Sequence, residues 1–172
     1  MKRMMSIGLL AFTAAACDSD STGPDTQGSY DLEVTGAFTE TAEGPAWFGS
    51  DVNEDGDPVF MLLFGDEMSR HVVLAGREGA SRPDVGAYAI EEGSWELLHV
   101  ISDDDELLGM FYATEGEITI TSSSSSRIRG SIEFVATELL GEAEVTGSIT
   151  FDAVLAPAAL MQTTVSAARS MH

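Results

Sequence analysis

Cysteine and lysine are almost missing from this chain: of its 172 residues, Cys17 is the one cysteine and Lys2 the one lysine. A single cysteine excludes an intramolecular disulfide and any zinc site built on a cysteine cluster. Beyond position 2 there is no amine side chain for Schiff-base chemistry. Positive charge is scarce as well, with 8 Lys and Arg against 29 Asp and Glu and a net charge of −21. Such a chain repels phosphate backbones and anionic headgroups, so nucleic acid is excluded as a partner and membrane contact has to come through an anchor. Long apolar runs are lacking too. The stretch Ser6–Ala16 is well short of the roughly 20 residues a spanning helix needs. There is no His-Glu-x-x-His, no Gly-x-Ser-x-Gly and no long segment of helical period.

What the chain does have begins at its start. Met1-Lys2-Arg3, the apolar stretch and the small residues Ala14-Ala15-Ala16 are the three parts of a secretory signal, a segment removed rather than folded. Cys17 follows directly, and here the chain resembles the bacterial lipoprotein signal, whose cysteine is lipidated and becomes N-terminal. The match departs from the commonest pattern at Ala14, where Leu is usual. The alternative is ordinary cleavage at the same alanines, leaving a secreted protein with an unmodified Cys17 thiol. Loss of residues 1–16 removes Lys2 and Arg3 and leaves six basic residues against 29 acidic ones, a net of −23. Residues 17–28 lack large apolar side chains after the cysteine and read as a lipidated residue plus an acidic tether, holding the domain about 18 Å from the anchor. The resemblance implies a cell-envelope lipoprotein, with the membrane leaflet left open.

From Tyr30 onward, short alternating runs are separated by Gly, Pro, Asp and Ser, the pattern of half-buried antiparallel strands. Strands are predicted at Tyr30–Phe38, Ala46–Ser50, Val59–Phe64, His71–Ala75, Gly86–Ile90, Trp95–Ile101, Leu107–Thr114, Glu117–Ser122, Arg127–Thr137 and Glu144–Leu155. The spacing predicts one all-β domain over residues 29–156, an antiparallel β-sandwich or partly open β-barrel of about 8–10 strands. Residues 157–172 form an Ala-rich tail that reads either as a short helix opened by Pro157 or as a frayed end.

The last two strands share a pattern, Ile128-Arg-Gly130-Ser-Ile132-Glu-Phe134 against Val145-Thr-Gly147-Ser-Ile149-Thr-Phe151. An inward glycine in each permits a bulge, a bend or the close approach of a large side chain. Together with Pro83-x-x-Gly86-x-Tyr88 and Gly116-x-Ile118-x-Ile120, these strands resemble a group of small β-rich bacterial lipoproteins. The resemblance covers about half of the chain and implies a fold and an anchor but no activity.

Three features bear on chemistry. Asp51, Asn53, Asp55 and Asp57 place oxygen ligands at alternate positions with Gly56 between the last two, the first half of a calcium loop. The bidentate Glu of an EF-hand is absent, since Leu62 stands there. The pattern reads either as a shorter Ca2+ loop completed by another acidic turn or as a plain acidic hairpin. Trp47 and Trp95, with Tyr88 and Tyr112, read as candidates to line a groove for a protein or glycan ligand, the alternative being core packing. His71 and His99 sit in apolar strands and read as hydrogen-bonded core residues. With no catalytic residue singled out, the expected function is a non-enzymatic binding or scaffolding module at the envelope. The alternatives are a calcium-stabilised domain and a hydrolase using paired carboxylates.

Overall fold

The computed structural model describes residues 27–52, 56–66, 68–103 and 106–157. Cys17, nearly all of the tether, Asn53, Asp55 and the tail beyond Pro157 lie outside the described residues. Among the described residues every regular element is a strand: β1 Ser29–Gly36, β2 Glu40–Gly44, β3 Ala46–Val52, β4 Pro58–Phe64, β5 His71–Glu78, β6 Gly86–Ala89, β7 Trp95–Asp103, β8 Glu106–Ser123, β9 Arg127–Glu138 and β10 Glu144–Leu155.

The ladders run β10-β3-β4-β5-β7-β8-β9 and return to β10, a closed ring of seven strands. All of its pairings are antiparallel except the seam, where β10 and β3 run parallel and meet only at Val154 with Trp47 and Leu155 with Phe48. The rest of that edge of β10 is taken by β1, which in turn pairs with β2. On the other side, β6 fills the edge of β8 left by the shorter β7. The inward side chains form one apolar cluster drawn from the ring and from β1, including Leu32, Phe60, Trp95, Ile118, Ile132 and Ile149.

Period-2 alternation explains most of this, because a residue and its second neighbour share a face. In β10, Val145, Gly147, Ile149, Phe151 and Ala153 are buried while Thr146, Ser148 and Thr150 are exposed. The inward glycines admit large neighbours. Gly147 lies opposite Phe134 and Gly130 opposite Phe151, so each of β9 and β10 lays a ring over a glycine of the other. A Cβ at Gly147 would overlap the Phe134 ring.

Two sequence expectations change. The strands predicted at Leu107–Thr114 and Glu117–Ser122 are one strand, β8, in which a register shift between Ala113 and Glu115 takes the place of a turn. The strand β2 was not expected, since Glu40-Thr-Ala-Glu-Gly44 is short and polar and owes its order to pairing with β1.

Candidate functional site

Strands β4, β5 and β7 are apolar on both faces, and what the barrel interior does not use emerges on the outside. Cross-strand register lines up Val154, Trp47, Leu63, Leu74, Leu98 and Tyr112 in one outward row from β10 to β8. Val72, Val100 and Met110 form a second row beside its far end. Around Leu74, Leu98 and Tyr112 of the first row and Met110 of the second lies a groove of about 730 Å³, with Leu97 also in its lining and Leu107, Leu108, Leu139 and Leu140 on its walls. Tyr112 is 37% exposed, Leu107 49% and Leu140 96%. Soluble domains seldom leave so many large apolar side chains together in water, and where they do the patch marks a contact surface. The charged side chains lining the groove are Glu96 and Glu138. Burial pushes the Tyr112 hydroxyl above its ordinary pKa, and the neighbouring Glu96 adds to the effect. The groove is therefore apolar at its base and negative at its edge.

A polar chain occupies the other end of β5. Glu40 lies opposite Val34 in the β1–β2 ladder, which turns its side chain toward the barrel. Its Oε2 is 2.7 Å from His71 Nε2, and His71 Nδ1 is 3.0 Å from His99 Nε2. Arg70 clamps the same carboxylate through Nε at 3.1 Å and Nη2 at 3.2 Å, and its Nη1 reaches Asp103 at 3.1 Å. Arg70 in this clamp, with His71 second, holds the Glu40 carboxyl below its ordinary pKa. A carboxylate only accepts, so His71 Nε2–H donates to Glu40. In the uncharged pair His71 Nδ1 then accepts from His99 Nε2–H. That leaves the buried His99 Nδ1 without a partner, among the rings of Phe111 and Phe134. Burial, with the neighbouring His71 second, lowers the His99 pKa to about 4. The chain opens onto a hollow of about 570 Å³ lined by Thr39, Thr41, Met68 and Ser69. Both nitrogens of His71 are engaged, so the hollow presents no imidazole poised to take a proton from a bound molecule.

Compared with family models, with curated proteins and with solved structures, the chain matches none. The functional reading therefore rests on the geometry.

The structure separates the residues singled out from the sequence. Trp47 stands half-exposed in the outward row, whereas Trp95 is 1% exposed in the core, edge-on to Phe60 with Arg77 over its ring. Its burial leaves no ring face for a ligand, and Trp47, though in the outward row, is not among the residues lining the groove. Asp51 and Asp57 flank the β3–β4 hairpin, and the Asp51 carboxylate accepts a hydrogen bond from the Val52 backbone N–H at 2.8 Å. Asn53 and Asp55 lie outside the described residues, so the calcium expectation stands on the sequence alone. Of the groove residues, Tyr112 was singled out from the sequence as an aromatic groove candidate, whereas Leu74, Leu98 and Met110 were not. A signal for them exists, because Pro58–Phe64, His71–Ala75 and Trp95–Ile101 carry almost no polar alternation. A strand apolar on both faces has something to cover on both.

Proposed function

We propose that this chain is a membrane-anchored, non-enzymatic binding module that uses the acid-edged apolar face of β5, β7 and β8 to hold a polypeptide segment bearing apolar side chains flanked by cations. The observation that carries the reading is the outward row ending at Leu74, Leu98 and Tyr112, walled by exposed leucines and edged by Glu96 and Glu138. Leucine walls offer few hydrogen-bond partners for a hydroxyl-rich glycan but suit leucine- or methionine-like side chains, and the negative edge with the negative net charge selects for Lys and Arg. Anchoring at the envelope through Cys17 belongs to the same reading and is supported by the residues around that cysteine.

A synthetic peptide alternating leucine pairs with lysine pairs is a suitable probe. Isothermal titration is expected to show saturable binding that weakens as salt rises. The double substitution Leu107→Asp and Leu140→Asp is expected to weaken binding at least tenfold while leaving the melting temperature within about 2 °C, because both side chains are already half or more in water. Equal affinity for the parent and the double variant would remove the groove from the reading.

A further inference from the structure

We infer that the two ends of the groove read different parts of a bound polypeptide segment. The Tyr112 ring, set between Glu96 and Glu138, takes one guanidinium or ammonium group, and the leucine end takes apolar side chains, so the segment lies in one direction only. This rests on the binding reading given above.

The lining is sorted along β8. At one end Tyr112 pairs with Leu98 of β7, and Glu96 lies two residues before that partner, diagonally off the tyrosine. On the other flank Glu138 of β9 pairs with Phe111, the residue before Tyr112. One step further along, the Leu139 N–H donates to the Met110 carbonyl at 2.8 Å, and from Met110 to Leu107 the lining carries no charge. Leu107 is about 15 Å from Tyr112 along the strand. Charge and apolar surface therefore stand at opposite ends of one groove.

The acid end has no internal counter-charge. The described arginines are committed elsewhere: Arg70 to Glu40 and Asp103, Arg127 and Arg129 to Asp152, Arg82 to Ser123, and Arg77 over the Trp95 ring. Among the described residues no ion pair reaches Glu96 or Glu138. Glu92, in the turn before β7, adds its field at the Tyr112 hydroxyl. A ring that is 37% exposed and flanked by carboxylates suits a cation twice over, since its face is electron-rich and the neighbouring oxygens accept N–H groups. Arginine meets both demands at once, its planar guanidinium lying on a ring while its edge donates to a carboxylate. At an exposed site each such contact changes affinity a few-fold, and together they are worth about tenfold.

The test uses the full chain and two short peptides with leucine at alternate positions, one ending in arginine and the other in its uncharged isostere citrulline. Isothermal titration is expected to show the arginine peptide binding the parent about tenfold tighter. Tyr112→Leu, which changes no charge, is expected to cut that preference to about threefold or less, and Glu96→Gln with Glu138→Gln to about twofold or less. Equal affinity of the parent for the two peptides would overturn the cation subsite while leaving the binding face intact. So would a preference that survives Tyr112→Leu, because general attraction to an acidic chain does not depend on that ring. For the direction, a nitroxide at the leucine end of the arginine peptide is expected to broaden the amide resonances of Leu107 and Leu139 more than that of Tyr112. With the label beside the arginine the order is expected to reverse. Equal broadening at both ends would overturn the single direction. Failure of the parent to bind either peptide would remove the binding face and its cation subsite together.

Discussion

Replacing Gly147 by valine is expected to destabilise the fold by about 3 kcal/mol, although valine is among the best strand formers and glycine among the worst. The opposite sign would follow from propensity alone. The steric term wins because Phe134, directly across the ladder, lays its ring where the new Cβ would stand, and both positions are buried in a closed barrel that cannot open to let the ring move. Phe134→Ala alone is expected to cost about 3–5 kcal/mol through the cavity it leaves. The double variant is expected to lose at least about 1 kcal/mol less than the sum, since valine would partly refill the space. Urea melts of the four proteins complete the cycle. Additive losses would show that ring and glycine do not act as a unit. The pair Gly130 and Phe151 should couple less, because a Cβ at Gly130 would first meet the Thr119 backbone carbonyl, which Phe151→Ala does not remove.

Lowering the pH from 7 to 4.5 is expected to cost about 2–3 kcal/mol of folding free energy through His99 alone. With the folded-state pKa near 4 and the ordinary value at 6.5, the unfolded chain takes up a proton in this window that the folded chain refuses. Stability therefore falls as pH falls from 6.5 and stops responding to this group below about 4. Glu40 adds a loss of the same sign at more acid pH, since its lowered pKa favours the folded state only while the carboxylate is charged. The physical source is burial, with His71 beside it second, and the buried Nδ1 has no partner to receive a proton's hydrogen bond. His99→Phe is expected to flatten the slope between pH 6.5 and 4.5, whatever its effect at neutral pH. Identical slopes for the parent and the variant would show that another group carries the acid sensitivity.

The all-β class and most strands were legible because alternation and turn residues are local signals. The closing strands show this best, since the inward set of Ile128, Ile132, Phe134 and Ala136 is the one the structure buries. The ring's closure was not legible, for it depends on two residue pairs between strands about a hundred positions apart. The histidine chain was hidden for a similar reason. His71 and His99 meet only because β5 and β7 pair in the register that sets Val73 opposite His99, and Glu40 arrives on a strand the sequence did not announce. Thr114-Glu115-Gly116 read as a turn because turn and bulge draw on the same residue types, and only the partner strand decides between them.

The place of β10 has a consequence for how the molecule is made. As the last strand among the described residues it satisfies β1, β9 and the end of β3, so a nascent chain carries three unsatisfied edges until β10 has been synthesised. Assembly has to wait for β10 and then knit positions separated by more than a hundred others, a slow topology. Products cut short by even a dozen residues before Leu155 would be sticky fragments and no smaller version of the fold.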